Sequence, residues 1–343
     1  MTPHPEISAI ILSAGFSRRM GAFKPLMKLG GRTVLDRVVS LYRQAGVTDI
    51  RVVTGFRSEA IRSALGSQPL TVVPNPEYQE GMFASVKAGV RTLGSDVRFF
   101  FVHPVDIPLV RPHTLRTLMD ASEGGASMVV YPCFDGQRGH PPLIRAGLKD
   151  AVVSHDGSGG LRCLLERNDA TARQVALADE GVLMDLDTPD DFQRLSDRLG
   201  AAHCLTRDEC RVLMHEVGCL PAPVIDHCRR VACVATALSK AVNAGGGAID
   251  VRLADAAARV HDVARLEKNH AAAGARLLRE MGFLAMAAIV AVHMELSVTA
   301  GSLLDEAQIV YLADKLVTGD KLASLSRRFD AALKKHGRDP QAT

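Results

Sequence analysis

The sequence predicts an α/β domain built on a mostly parallel sheet, followed by an all-α domain. Three observations carry this. The chain has 343 residues, too many for one ordinary core of ~100–200 residues and enough for two. From Ile7 to about Leu199, short β-branched runs alternate with amphipathic stretches, and strands that are apolar on both faces belong to a sheet covered by helices on each side. After Leu199 the strand-like runs stop, alanine becomes abundant, and apolar residues recur every three or four positions, the period of helices.

In chain order, Ile7 to Leu12, Arg51 to Thr54, Leu70 to Val73 and Arg98 to Val102 read as strands, with helical stretches between them at Thr33 to Gln44, Ser58 to Leu65 and Ala84 to Leu93. Ligands of such a sheet gather at the carboxyl edge of its strands. The domain boundary is expected between Gly200 and Thr206, giving domains at 1–200 and 206–335. Pro221 and Pro223 then separate the first helix of the second domain from the next.

Composition excludes several classes. The net charge is +3, from 41 Lys+Arg against 38 Asp+Glu, too small to draw in a polyanion through bulk electrostatics. Trp is absent and aromatic residues make up 4%, which leaves few faces for stacking bases, so nucleic acid is not an expected partner. Met1 to Ser8 lacks the basic and apolar segments of a secretory signal, and the longest apolar run, Phe283 to Val292, is too short to cross a bilayer. A cytoplasmic chain without a membrane partner is expected. The seven cysteines form no CxxC pair, so free thiols are expected over disulfides or a zinc knuckle.

After the first strand comes Leu12-Ser13-Ala14-Gly15-Phe16-Ser17-Arg18-Arg19-Met20-Gly21-Ala22-Phe23-Lys24. Ser13, Ala14 and Gly15 are small enough for backbone amides to approach a triphosphate, while Arg19 and Lys24 can neutralise it. This segment resembles the LAAGxSxRMGxxK signature of the MobA-like nucleotidyltransferases, with Ser13 in place of alanine. Further stretches match in family order. Asn75-Pro76-Glu77-Tyr78, with Gly81-Met82 and Ser85, resembles NPxYxxGMxxS; Asp106-Ile107-Pro108-Leu109 resembles DMPL. Gly139-His140-Pro141 resembles GHP, Asp156 to Arg162 resembles DxGAR, and Asp187-Thr188-Pro189 resembles DTPED.

The resemblance implies a Rossmann-like nucleotidyltransferase domain. Ser13, Ala14, Gly15, Arg19, Lys24, Asn75 and Ser85 would bind nucleotide, and Lys24, Arg19 and Asp106 would be catalytic. In-line attack by a substrate phosphate on an α-phosphorus crowds negative charge, so Asp106 and Asp187 are the expected Mg²⁺ carboxylates. Asp187-Thr188-Pro189 also reads as a helix N-cap. Ala14 resembles the molybdopterin cytidylyltransferase branch, which favours CTP over GTP. Two departures, His103-Pro104-Val105 before Asp106 and Pro142 after the GHP stretch, fall where the acceptor is expected.

In the helical half, His227, His261, Asp262, His293 and Asp314 occupy apolar-phase positions, expected on helix interiors. One buried histidine is usually a satisfied core residue. Several, with two carboxylates that are costly to bury unpaired, point to a shared cation. The pattern His227, His261-Asp262, Asp314 resembles the H…HD…D of the HD-domain phosphohydrolases over roughly Pro221 to Phe329. His270 and His293 fall where two-metal members carry extra ligands, although His270, near Glu267 and Lys268, could simply be solvated. Arg265 stands where many relatives have lysine. The resemblance implies an all-α HD domain with Mn²⁺, Fe²⁺, Ni²⁺ or Zn²⁺ and a phosphoester substrate.

The whole chain is thus expected to be a bifunctional enzyme. It would transfer CMP from CTP to a phosphorylated acceptor, molybdopterin cofactor, with pyrophosphate released and a hydrolase attached. A molybdenum enzyme or cofactor carrier is a further expected partner. Two alternatives stay open: a sugar-phosphate or other small-phosphate nucleotidyltransferase, and a cofactor-delivery or regulatory binding protein with one inactive site.

Overall fold

The computed structural model describes residues 4–123, 125–297, 303–324 and 326. Met1 to Pro3, the end of the expected second domain at 327–335, and Phe329 lie outside the described residues. The chain divides into two compact units, Met1–Ala201 and Ala202–Thr343.

In the first unit, β1 (Ile7–Ser13), β2 (Asp49–Thr54), β3 (Thr71–Pro74), β4 (Phe99–Pro104), β5 (Val129–Phe134), β6 (Leu143–Arg145) and β7 (Arg173–Ala176) form one sheet in the order β7-β5-β6-β4-β1-β2-β3. The two-residue strand Gln137–Arg138 adds to β5. β1 lies between β2 and β4 in parallel register, with Leu12 level with Val53 and Pro104. All seven β1 residues are buried, as the two-sided apolar pattern predicts. β6 alone among the seven runs against its neighbours, β4 and β5. The sheet is therefore mixed but mostly parallel, and β1 to β4 all deliver their carboxyl ends to one edge.

The first-unit helices are α1 (Val34–Ala45), α2 (Ser58–Leu65), α3 (Met82–Arg91), α4 (Pro112–Ser122), α5 (Lys149–Ser154), α6 (Gly160–Glu166) and α7 (Pro189–Gly200). Their ends follow local chemistry. Thr33 caps α1 by accepting the Asp36 amide, and Gly46 ends it at φ 93°, a conformation that costs a glycine nothing.

The second unit begins with α8 (Arg207–Val212), which runs into a π-helical turn at Leu213–Val217. α9 (Ala222–Ala244), α10 (Val251–Val260), α11 (His270–Glu280), α12 (Leu284–Ala291) and α13 (Glu306–Lys315) follow. Pro221 is the N-cap of α9, and Pro223 sits in its first turn, where no amide hydrogen is needed. Val231, Ala235, Ala254, Ala257, Val310 and Ala313 are completely buried in one core, and their small side chains let α9, α10 and α13 pack closely. The unit is helical as expected, with one small addition. Val317–Thr318 and Lys321–Leu322 pair as a short antiparallel hairpin, because Gly319 takes the positive φ of 59° that a two-residue turn demands. No helix among the described residues is long and apolar enough to cross a membrane.

Candidate active sites

The first site grows from the end of β1. Past Ser13 the chain turns through Ala14 to Ser17 into two short 3-10 turns, Arg18–Met20 and Lys24–Leu26. Ser17 has a φ of 56°, and its Oγ accepts the Lys24 amide at 3.1 Å. This clasp turns Lys24 inward, to 8% exposure. Gly55 completes the loop's support: a Cβ there would lie 2.5 Å from Tyr78 Cβ and 3.0 Å from Ala14 Cβ. Only glycine lets Tyr78 pack this closely on the loop.

Lys24 Nζ donates to Asp187 Oδ1 at 2.6 Å and to Asp106 Oδ2 at 3.2 Å, while Arg19 Nη2 pairs with Asp187 Oδ2 at 2.8 Å. Asp106 follows β4 and Asp187 precedes α7. The N-cap of α7 is Thr188, whose Oγ1 accepts the Asp191 amide in a full capping box. Asp187 is therefore not the cap, and its carboxylate is left to face Lys24. Two carboxylates gathered round one positive charge are a donor set that fits a hard divalent cation.

A cavity of about 420 Å³ is lined by Ser13, Ala14, Gly15, Arg18, Lys24, Asp106, Tyr78 and Ser85, among others. Arg18, stacked 4.7 Å over Phe16, lines it, whereas the largely exposed Arg19 does not. Asn75 lies behind the wall. Its Nδ2 donates to Ser85 Oγ and its Oδ1 accepts the Glu77 amide, both at 3.0 Å, so it holds Ser85 in position. A second cavity of about 580 Å³ shares Leu12, Met82 and Pro104 with the first, and is lined by Tyr131, Arg138, Gly139, His140, Pro142 and Arg162. The GHP and DxGAR-like stretches both reach it.

His103 does not reach either cavity. Leu12, Val102 and Pro104 line the larger one, and alternation along β4 sends His103 to the opposite face of the sheet. There Nε2 donates to the Ile107 carbonyl, and Nδ1 accepts the Tyr42 hydroxyl, each at 2.9 Å. The expectation that this departure lies at the acceptor is thus corrected for His103, while Pro104 and Pro142 do line the cavity. Burial lowers the His103 pKa to about 3. Above pH 6.5 the imidazole is neutral whether folded or not. Below it the unfolded chain takes up a proton that the fold refuses, so stability falls by up to about 1.4 kcal/mol per pH unit from this residue. Gln can keep one donor and one acceptor here, so His103→Gln is expected to flatten the acid slope in urea unfolding between pH 7 and 5. Parallel slopes for the two proteins would contradict the assignment.

The second site corrects the helix-interior expectation. His227 lies on α9 and Asp314 on α13, but His261, Asp262 and His293 sit in the turns just past α10 and α12. The last carbonyls of a helix lack intrahelical partners, and these histidines supply them. His261 Nδ1 donates to the Ala258 carbonyl at 2.8 Å and His293 Nδ1 to the Val290 carbonyl at 2.7 Å. His227 Nδ1 likewise donates to Gly319 of the hairpin at 2.9 Å. With each Nδ1 so fixed, each Nε2 is turned toward the carboxylates.

Asp314 Oδ1 lies 3.1 Å from His227 Nε2 and 3.7 Å from His261 Nε2. Asp262 Oδ2 lies 3.8 Å from His261 Nε2, while Asp262 Oδ1 lies 3.2 Å from His270 Nε2 and 3.5 Å from His293 Nε2. His270, at the start of α11, therefore joins the cluster and is not simply solvated. Asp262 Oδ1 is buried and makes no hydrogen bond. Burial pushes the Asp262 carboxyl up, but His293, His261 and Arg265 outweigh it and hold it at about 2. Asp314 is likewise held well below the usual carboxylate range by His227, His261 and Lys315, against the effect of burial. Burial lowers His261, whereas the Asp314 contact raises His227.

Ionised carboxylates, imidazole nitrogens and one orphaned oxygen fit a divalent transition metal. His227, His261 and Asp314 can hold one ion, and Asp262, His270 and His293 form a second group. Cys228 was not singled out in the sequence. Its ligand atom also lies within 4.8 Å of those of His261 and Asp262, and its place directly after His227 was the available signal.

The family model of the MobA-like NTP transferase domain matches residues 9–173, and that of the HD domain matches residues 224–319. The chain carries a MobA-like NTP transferase domain followed by an HD domain. The MobA-like domain is 28% identical over 193 residues to the molybdenum cofactor cytidylyltransferase of Escherichia coli (strain K12), covering 56% of this chain and 96% of that protein. It is also 28% identical over 201 residues to the nicotine blue oxidoreductase of Paenarthrobacter nicotinovorans, covering 57% and 98%. Among solved structures, Rv0371c of Mycobacterium tuberculosis H37Rv is similar with a TM-score of 0.51 and 27% identity, over 56% of this chain and 98% of that one. These likenesses span the MobA-like half; the HD half rests on its family model and on the cluster of histidines and carboxylates.

Proposed function

We propose that the chain is a bifunctional enzyme whose MobA-like domain transfers CMP from CTP to molybdopterin, releasing pyrophosphate, and whose HD domain hydrolyses a phosphoester. What most supports the transfer is the gathering of Lys24, Asp106 and Asp187 at the small-residue loop after β1. In-line attack at an α-phosphorus needs positive charge there as pyrophosphate departs. Magnesium held by Asp106 and Asp187 supplies that neutralisation when bound. Lys24 would meet the phosphates as a point charge, and Arg18 and Arg19 would flank the leaving pyrophosphate. The backbone of Ala14 and Gly15 approaches the nucleotide, and the adjoining 580 Å³ cavity takes the acceptor. Ala14 and the cytidylyltransferase relative favour cytosine as the base.

The oxidoreductase relative names another chemistry at equal identity. A buried lysine shared by two carboxylates favours phosphoryl transfer, because hydride transfer makes no comparable demand for phosphate neutralisation. In the HD domain, a transition metal would supply Lewis-acid activation of water and phosphoester; His227, His261, Asp262, His293 and Asp314 would hold it, and Arg265 would face the substrate.

Incubating the protein with Mg²⁺, molybdopterin and each of the four nucleoside triphosphates tests the transfer. The expected result is pyrophosphate release with the highest kcat/KM for CTP. A preference for GTP would overturn the base assignment, and a sugar phosphate outperforming molybdopterin would overturn the acceptor. No pyrophosphate with any nucleotide and acceptor would overturn the transfer itself.

A further inference from the structure

Asp106 is placed by a turn, not by a strand or helix. β4 ends at Pro104, and backbone hydrogen bonds hold the residues that follow. The Val105 amide donates to the Leu12 carbonyl of β1 at 3.1 Å, and the Ile107 amide donates to the Pro104 carbonyl at 3.2 Å. The Leu186 amide donates to the Asp106 carbonyl at 2.8 Å, which brings Asp187, one residue further on, beside Asp106.

A side chain closes the far end of this turn. His103 Nε2 donates to the Ile107 carbonyl at 2.9 Å, and the Tyr42 hydroxyl of α1 donates to His103 Nδ1 at 2.9 Å. The two rings meet edge to face, with centroids 5.6 Å apart and planes at 74°. Both residues are completely buried, so water does not compete for these bonds. An apolar residue would fill this place without the cost of burying an imidazole. What the imidazole adds is a satisfied polar chain, which holds its members in one geometry.

We infer that His103, held by Tyr42, is a positioning residue for the transfer: through the Ile107 carbonyl it fixes the turn that aims the Asp106 carboxylate into the cavity beside Lys24. The inference rests on the proposed role of Asp106 and Asp187 as the carboxylates that hold Mg²⁺. His103 lines neither cavity, so its effect runs through the turn alone. Without its bond the Ile107 carbonyl is free, the turn samples other conformations, and Asp106 spends less time in the binding geometry. Apparent affinity falls with the fraction of competent molecules.

Calorimetric titration of the full chain with CTP over a range of Mg²⁺ concentrations tests this, with turnover measured over the same range. Mg²⁺ prefers oxygen ligands and reports on the carboxylate pair, not on the imidazole-rich HD cluster. His103→Leu is expected to need about tenfold more Mg²⁺ than wild type for half-maximal CTP binding and half-maximal turnover, the size of one buried hydrogen bond. His103→Gln, which keeps a donor and an acceptor, is expected to restore the wild-type Mg²⁺ dependence. A purely structural role would lower the unfolding temperature of His103→Leu and leave that dependence unmoved, which would overturn the inference. His103→Gln as impaired as His103→Leu would also overturn it. If His103→Leu does not fold, Tyr42→Phe decides, because it removes a single hydroxyl: about threefold more Mg²⁺ is expected, and no change would overturn the inference. CTP binding that is independent of Mg²⁺ in wild type would end the proposed role of the carboxylates and this inference with it. That failure appears in wild type alone, whereas failure of the inference by itself appears only in the comparison of variants.

Discussion

Asp106→Ala is expected to reduce pyrophosphate release from CTP by about 100-fold or more, the usual cost of removing one group that faces developing charge. Asp106 is half of the carboxylate pair around Lys24 Nζ, and the distances of 3.2 Å and 2.6 Å leave Asp187 as the closer partner. The variant should therefore keep its fold, since Lys24 retains an ion pair with Asp187. Lys24→Ala is expected to lose activity to a similar extent, but with two carboxylates left facing each other without their shared cation. Turnover at saturating CTP, beside circular dichroism of each variant, separates lost chemistry from lost structure. Near-normal turnover in folded Asp106→Ala would contradict the site.

In the HD domain, His261→Ala and Asp262→Ala are each expected to abolish both metal binding and hydrolysis of a generic phosphoester such as bis-p-nitrophenyl phosphate. His261 and Asp262 connect the two ligand groups, because His261 faces Asp314 and Asp262 faces His270 and His293. Wild type should gain stability with Mn²⁺, Fe²⁺, Ni²⁺ or Zn²⁺, by about 2.7 kcal/mol at a metal concentration of 100 times Kd. The variants should gain none. Elemental analysis, thermal unfolding and the hydrolysis assay check this together. An unmoved Tm, no bound metal and no cleavage in wild type would make the histidines structural.

Much of this was legible in the sequence, for definable reasons. β1 and β4 are short and almost wholly apolar, and β2 and β3 carry short β-branched runs, so all four stand out against the amphipathic helices. β6 does not stand out. Three residues, Leu143–Arg145, carry no periodicity, and their antiparallel direction is set by the pairing with β4 and β5. β5 contains Pro132, a residue that argues locally against a strand.

Site residues show the same division. The gathering of Lys24, Asp106 and Asp187 in one place was legible because each lies in a stretch that resembles a motif of the MobA-like nucleotidyltransferases. The opposite facing of His103 was also present in the sequence, since Val102 and Pro104 lie on either side of it in a period-two element. What the spacing of His261 and His293 conceals is where each helix stops. The turns keep the apolar phase of the helix before them, with no glycine or proline to mark the end. Their role as donors to the Ala258 and Val290 carbonyls depends on that ending and is visible only in three dimensions. Asp187 against Thr188 as the cap of α7 is likewise a choice that two adjacent capping residues leave open until the backbone is known.

The most direct measurement follows the phosphorus atoms of the nucleotide. Protein, Mg²⁺ and molybdopterin are incubated with CTP carrying radiolabel at either the α- or the γ-phosphorus, and the products are separated. Attack at the α-phosphorus beside Lys24 and Asp106 predicts that α-label appears in the acceptor product and γ-label in pyrophosphate, with both lost in Asp106→Ala. Transfer of γ-label to the acceptor, or release of either label without any labelled acceptor, would contradict nucleotidyl transfer at this site.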